Sequence, residues 1–151
     1  MIYFEIICNR KNMTHNSYPG GSKSRVDQAG NNVRRGLATI EDLLVIDNWR
    51  EAHRIVLNTF QAILRMRTRF NNSITVAQRH KRRLTIFDKL RRHSKMQLSR
   101  MDDVAGCRLI FNSIPELYAF RSQIHSAKRM KHRLRNHPDK YDYIKHPKDT
   151  G

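Results

Sequence analysis

The residues most able to do chemistry in this chain form three clusters, all in its second half. The first is Arg79-His80-Lys81-Arg82-Arg83, with a further cation at Lys89. Arg79 and Lys81 are two apart, so on an extended segment both project to one side. Lys89 stands four residues after Thr85, which can cap a helix. Three cations from a strand end and the next helix can converge on one phosphate chain. Lysine gives it point charge, arginine gives planar donors, and a helix start gives backbone N–H groups. A solvated basic face accounts for the same run. The second cluster is Met101-Asp102-Asp103-Val104-Ala105-Gly106-Cys107-Arg108. A carboxylate among cations suits Mg²⁺, which takes one or two protein carboxylates plus substrate phosphates; a loop cap or an ion pair is its plainer use. The third, Asp142 to Gly151, carries Lys145, His146 and Lys148. These could close over an anion or form a charged tail.

The elements that must position these clusters can be read from caps and periodicity. Tyr18-Pro-Gly-Gly21 is a turn, Ser22 caps a helix from Lys23 to about Arg34, and Gly36 stops it. Thr39 and Asp42 resemble a capping box. After them Leu43, Leu44, Ile46, Trp49, Ala52, Val56, Phe60, Ile63 and Leu64 recur at helical steps to about Arg69, with a break expected near Asp47. Trp49 and Phe60 read as core. Residues 74–78 alternate as a short strand into the basic run, and a short helix capped by Thr85 should reach Arg92. Residues 94–100 read as a linker with one helical turn, and 104–111 as a β-rich run. Ser113-Ile-Pro-Glu116 reads as a capping box with Pro inside the first turn, and should open a helix over about 114–127. Tyr141 to Ile144 reads as a last strand. At the other end, Met1 to Cys8 reads as a first strand or as part of an extension upstream of Met13. The order predicts an α/β (α+β) layer with a small mixed sheet preceded by helices.

Composition limits what such a layer can be for. The chain has 151 residues, a net charge of +17 and a mean hydropathy of −0.74, so its core is modest. The charge is uneven: residues 76–151 carry nineteen basic and seven acidic side chains, against eleven and six in 1–75. Such a surplus faces something anionic: nucleotide, nucleic acid or an acidic surface. Two cysteines, Cys8 and Cys107, cannot build a disulfide framework, and no spacing resembles a zinc site. The longest apolar run is too short to span a bilayer and lacks the marks of a signal peptide. The expected address is the cytoplasm, with no membrane partner.

Taken in order, the clusters match a family. Arg79-x-Lys81-x(7)-Lys89, Asp103-x-x-Gly106-x-Arg108, and Asp142-Tyr143-Ile144-x-x-Pro147-Lys148-x-x-Gly151 together resemble the synthetase domain of the RelA/SpoT proteins, particularly the small alarmone synthetases. The resemblance covers residues 70–151 tightly, residues 13–69 look like the leading helices of the same domain, and residues 1–12 look like an N-terminal extension. It implies a nucleotidyltransferase-like fold, a mixed sheet flanked by helices. It also implies a bacterial GTP diphosphokinase of the stringent response, which moves the β,γ-pyrophosphate of ATP to the 3′-hydroxyl of GDP or GTP. Carried over, Arg79 and Arg108 should sandwich the adenine, Lys81 and Lys89 should hold the ATP phosphates, and Asp103 should bind Mg²⁺ as the catalytic carboxylate. Lys148, with Lys145 and His146, should meet the acceptor.

The sequence also departs from the pattern. The family motif continues past its Gly with an acceptor-loop Tyr and His, and a later strand brings a catalytic Glu; this chain stops at Gly151, and no Glu follows Glu116. The expectation is therefore an incomplete, catalytically silent synthetase domain. Two alternatives stay open: a toxin-type relative that pyrophosphorylates the tRNA 3′ end, with Lys128 to Arg135 as its landing strip, and a basic nucleic-acid-binding protein without catalysis. The acceptor and the oligomeric state are left undecided.

Overall fold

Helix α1 begins where Ser22, in an extended conformation, accepts the Arg25 N–H on its hydroxyl, and it runs Lys23–Arg34. Gly36 then turns the chain at φ +72°, a conformation that costs glycine little. Thr39 and Asp42 close a capping box, and α2 runs Ile40–Thr68. Its 29 residues make a rod about 43 Å long. The break expected near Asp47 does not occur. Asp47 lies on the outer side of the helix and pairs with Arg83 at 2.8 Å, while Ile46 and Trp49 on either side of it are buried.

The computed structural model describes residues 3–4, 18–127 and 137–147. Beyond α2 come β2 (Thr75–His80), α3 (Arg83–Arg92), a 3-10 turn at Leu98–Arg100, β3 (Ala105–Ile110), α4 (Ile114–His125) and a second 3-10 turn at Pro138–Tyr141. A two-residue strand, β1 (Tyr3–Phe4), pairs with the far edge of β3. The strand order is β1-β3-β2, and both pairings are antiparallel. The fold is α+β, as expected, with a helical N-terminal region, but among the described residues the sheet is antiparallel and not mixed.

Three local expectations need correction. Helix α3 starts at Arg83 after an extended Arg82, so Thr85 lies inside it and caps nothing. The strand expected at Tyr141–Ile144 is a 3-10 turn followed by a turn in which the His146 N–H donates to the Asp142 carbonyl, because Asp142 is used as a hydrogen-bond hub and not as a ladder residue. Only half of the box at Ser113 forms. The Ser113 hydroxyl accepts the Glu116 N–H at 3.3 Å, but the Glu116 carboxylate turns to Asn71, 2.8 Å away, and to the Ser73 hydroxyl.

Two apolar clusters share α2. Its first half packs Ile46 and Trp49 against Val26, Ala29 and Val33 of α1 and Ile86, Phe87 and Leu90 of α3, with Leu98, Met101 and Val104 closing the cluster. Its second half puts Leu57, Phe60 and Leu64 under Cys107 and Leu109 of β3 and Phe120 of α4. Each side chain of this size contributes about 1.5–3 kcal/mol when fully buried. Trp49 and Phe60 are core, at 1% and 2% exposure. A Cβ on Gly30 would lie 2.8 Å from that of Leu98, so glycine lets the 3-10 turn press onto α1. There Asp27 accepts the Ser99 N–H at 2.8 Å and its hydroxyl at 2.9 Å. Arg34 donates to the Leu90 carbonyl at 3.0 Å and to that of Met96, tying α1 to the end of α3. No helix among the described residues is long and apolar enough to cross a membrane.

Candidate active site

The antiparallel ladder of β2 and β3 decides which side chains share a face. Cys107 and Leu109 of β3 turn inward onto α2 and α4. By alternation Arg79 and Ala77 of β2, with Gly106 and Arg108 of β3, lie on the opposite face. Arg79 pairs in register with Gly106, and Ala77 with Arg108. The two arginines are therefore diagonal neighbours, a relation that sets residues about 7–8 Å apart across the ladder. A Cβ placed on Gly106 would meet nothing within 4 Å. Two van der Waals contacts of about 3.5–4 Å fit in that span. A planar ring can lie between two guanidinium groups held this way, stacked on both.

The ladder continues one step past His80, where the Lys81 N–H donates to the Val104 carbonyl at 2.7 Å. This fixes Lys81 beside the loop that holds Asp103. The Lys81 ammonium lies 2.5 Å from Asp103 Oδ2, and the Lys89 ammonium, reaching over from α3, lies 2.8 Å from Oδ1. Lys81 is buried along its stem, with 8% of its side chain exposed, while Asp103 keeps 49%. Partial burial pushes the Asp103 carboxyl up, but the hydrogen bonds from Lys81 and Lys89 outweigh it and hold the group below its usual range. The structure thus brings together Lys81, Lys89 and Asp103, with Arg79 and Arg108 on the adjoining sheet face.

The third cluster is placed differently. Asp142 is buried and accepts hydrogen bonds from Tyr118 Oη at 2.9 Å, Arg121 Nη1 at 2.6 Å and the Lys145 N–H at 3.1 Å. Burial raises its carboxyl, and the Lys145 N–H, Tyr118 and Arg121 together bring it below the usual value. Arg121 also pairs with Asp139 at 2.5 Å. Lys145 and His146 stand exposed on the segment so anchored. Lys148, Gly151 and the basic stretch Lys128 to Arg135 lie outside the described residues, as does the extension around Cys8.

Two features of this region escape a reading of the sequence. Arg50 of α2 donates from Nε to the Lys81 carbonyl at 2.8 Å, and its Nη2 lies 3.4 Å from His80 Nδ1, while His80 Nε2 sits 3.2 Å from the Arg50 carbonyl. The basic run is thereby clamped to α2. Asp142 is likewise a hub that only tertiary packing reveals; the spacing of Tyr118 and Arg121 on one helical face was the one signal in the sequence.

Among the described residues no group of three or more His, Cys, Asp or Glu side chains could hold a metal ion alone. A single half-exposed carboxylate beside two ammonium groups fits a divalent cation that arrives on phosphate, since Mg²⁺ is commonly held by one or two carboxylates plus substrate phosphates. It does not fit a cation bound by protein ligands only.

Residues 78–151 match the family model described as the region found in RelA / SpoT proteins. Over this part the chain is similar to a RelA/SpoT region, a family whose kind of activity is nucleotide pyrophosphate transfer on nucleotide substrates in general. A comparison with curated proteins gives no match.

Proposed function

We propose that this chain carries the ATP-binding part of a (p)ppGpp synthetase, a GTP diphosphokinase that moves pyrophosphate from ATP to the 3′-hydroxyl of GDP or GTP. One observation carries the reading: the Lys81–Asp103–Lys89 group stands at the end of the same ladder whose open face holds Arg79 and Arg108. That arrangement offers stacking for adenine and, beside it, charge for a triphosphate. In the reaction the acceptor 3′-hydroxyl gives up its proton to water as its oxygen bonds to Pβ of ATP, the Pα–O–Pβ bridge breaks on the Pβ side, and AMP leaves with the bridging oxygen. The chain's part is to hold the adenine between Arg79 and Arg108 and to neutralise phosphate charge with Lys81 and Lys89. Positioning and charge neutralisation are most of what such a transfer needs. Asp103 would hold Mg²⁺, which when bound supplies further neutralisation of the phosphates. Lys145, His146 and Lys148 would face the acceptor.

The test is equilibrium titration of the 151-residue chain with ATP, GTP and inorganic tripolyphosphate in Mg²⁺, together with AMP release from ATP in the presence of GDP, GTP or tRNA. ATP should bind more tightly than tripolyphosphate, and Arg79→Ala or Arg108→Ala should remove the difference. ATP binding no better than tripolyphosphate would sink the adenine assignment. AMP release with tRNA alone would move the reading to a tRNA-modifying relative.

A further inference from the structure

We propose that Asp103 is a built-in counter-ion that makes this site select polyphosphate carried on a divalent cation over the bare anion. The proposal rests on the polyphosphate reading given above. Each oxygen of Asp103 is taken by a separate ammonium group, Oδ2 by Lys81 at 2.5 Å and Oδ1 by Lys89 at 2.8 Å. Lys81 is 8% exposed, and an ammonium so placed is expensive to leave without a counter-charge. Asp103 therefore does in the free protein what a phosphate would do in the complex.

A bare polyphosphate has two poor ways to enter. It can share the lysines with Asp103, which sets like charges within a few ångströms of each other. Or it can displace Asp103, leaving a carboxylate beside the anion with no partner. With a divalent cation on the polyphosphate, the same carboxylate turns from the ammonium groups to the cation, and the clash becomes a bridge. Asp103 has room for this because 49% of its side chain is exposed, whereas Lys81 stays where the ladder holds it. The cation gains no cage from the described residues alone. Cation and polyphosphate then bind with positive coupling, and each raises the affinity for the other by the same factor.

The experiment is calorimetric titration of the 151-residue chain with inorganic tripolyphosphate, once in EDTA and once in excess Mg²⁺. The wild type should bind about tenfold more tightly in Mg²⁺, toward the lower end of the usual range for coupled sites. Asp103→Asn should shrink that preference by tightening binding in EDTA, and Asp102→Asn should keep it. Equal wild-type affinities in the two buffers, or an Asp103→Asn protein that binds the bare anion no more tightly, would overturn the proposal. Lys89→Gln separates this from failure of the underlying reading. If it weakens binding while Asp103→Asn leaves the Mg²⁺ preference intact, the site is right and the counter-ion is wrong. If it changes neither titration, the polyphosphate assignment falls and the proposal falls with it. Thermal shift of the wild type by tripolyphosphate, larger in Mg²⁺ than in EDTA, supports the coupling without any variant, and equal shifts overturn it.

Discussion

Arg50 and His80 hold each other reciprocally across the seam between α2 and β2. One imidazole nitrogen meets the Arg50 backbone carbonyl at 3.2 Å, and the other meets its guanidinium at 3.4 Å. The arrangement suits a neutral ring with its proton on Nε2, which donates to the carbonyl while Nδ1 accepts from Arg50. A second proton would go to Nδ1 and set two cations against each other.

The pH consequence follows from that geometry. Burial, then the Arg50 charge, moves His80 below its ordinary 6.5, with His53 acting in the same direction and Glu51 against it. A histidine with a lowered folded-state pKa stabilises the fold above its unfolded pKa and loses that contribution as pH falls through the folded value. Melting temperature should therefore decline as pH drops below about 6.5, and His80→Gln should flatten part of the decline. His125, also lowered by burial and by Arg121, accounts for some of the remainder. An unchanged slope in His80→Gln would refute the clamp.

Asp42 governs the acid limb. Burial alone would raise its carboxyl, but Asn32, Arg25 and the Thr39 N–H hold it at about 2, against an ordinary 3.8. The lowered value means stability is present above about pH 4 and is lost as pH falls toward about 2. At about 1.36 kcal/mol per unit the contribution is about 2 kcal/mol. Urea unfolding of the wild type and Asp42→Asn, compared at about pH 6 and about pH 3 on either side of the ordinary carboxylate value, checks this. The two proteins should differ clearly in the first condition and converge toward the second.

Gly106→Val tests the ring site without disturbing the phosphate site. A Cβ there meets nothing within 4 Å, and valine suits a strand better than glycine. The variant should melt at or above the wild-type temperature. Its affinity for ATP should fall about tenfold, the scale of losing one stacked contact of about 1–1.5 kcal/mol, while tripolyphosphate binding stays unchanged. Equal losses for both ligands would place the adenine elsewhere.

Asp142→Ala should be among the costliest substitutions outside the apolar core. It removes the buried partner of Arg121, whose side chain is 11% exposed, leaving it the half-exposed Asp139, and it takes the acceptor from the Tyr118 hydroxyl and the Lys145 N–H. Breaking a buried pair from one side typically costs about 3–5 kcal/mol. Denaturant unfolding gives the figure, and limited proteolysis should show cleavage near residues 137–147 before the rest of the chain. A loss below about 1 kcal/mol, the scale of an exposed pair, would mean that the segment is held by something other than this hub.

The contrast among these residues shows which physics a linear sequence carries. The caps at Ser22, Thr39 and Ser113 were legible because a cap acts over three residues. Trp49 and Phe60 were legible from helical periodicity. The grouping of Lys81, Lys89 and Asp103 was legible as a family pattern: the spacing of Arg79, Lys81, Lys89, Asp103 and Arg108 resembles a known motif. It was not legible from charge alone, where a solvated basic face explained as much. The Arg50–His80 clamp spans 30 residues and the Tyr118–Asp142 contact 24; the first leaves no local trace, and the second only the helical spacing of Tyr118 and Arg121. The misread strand at Tyr141–Ile144 has the same origin. Its residues favour β structure, but the side chain of Asp142 satisfies the Lys145 N–H, and Tyr118 and Arg121 satisfy Asp142.

Because α2 passes through both apolar clusters, its length acts as a phase constraint. Ile46 and Trp49 must face α1 and α3 while Leu57, Phe60 and Leu64 face the sheet, and an α-helix turns by about 100° per residue. One residue inserted between Trp49 and Leu57 would leave every local contact available. It would nevertheless rotate one cluster against the other by more than a quarter turn, carrying Arg50 out of line with His80 or Phe60 out from under Leu109. Seven inserted residues, close to two whole turns, would nearly restore the rotation but would drive the clusters about 10 Å apart along the axis. The helix therefore behaves as a cam with a fixed angular offset, and this stretch should tolerate substitution on its outer side far better than any change in residue count.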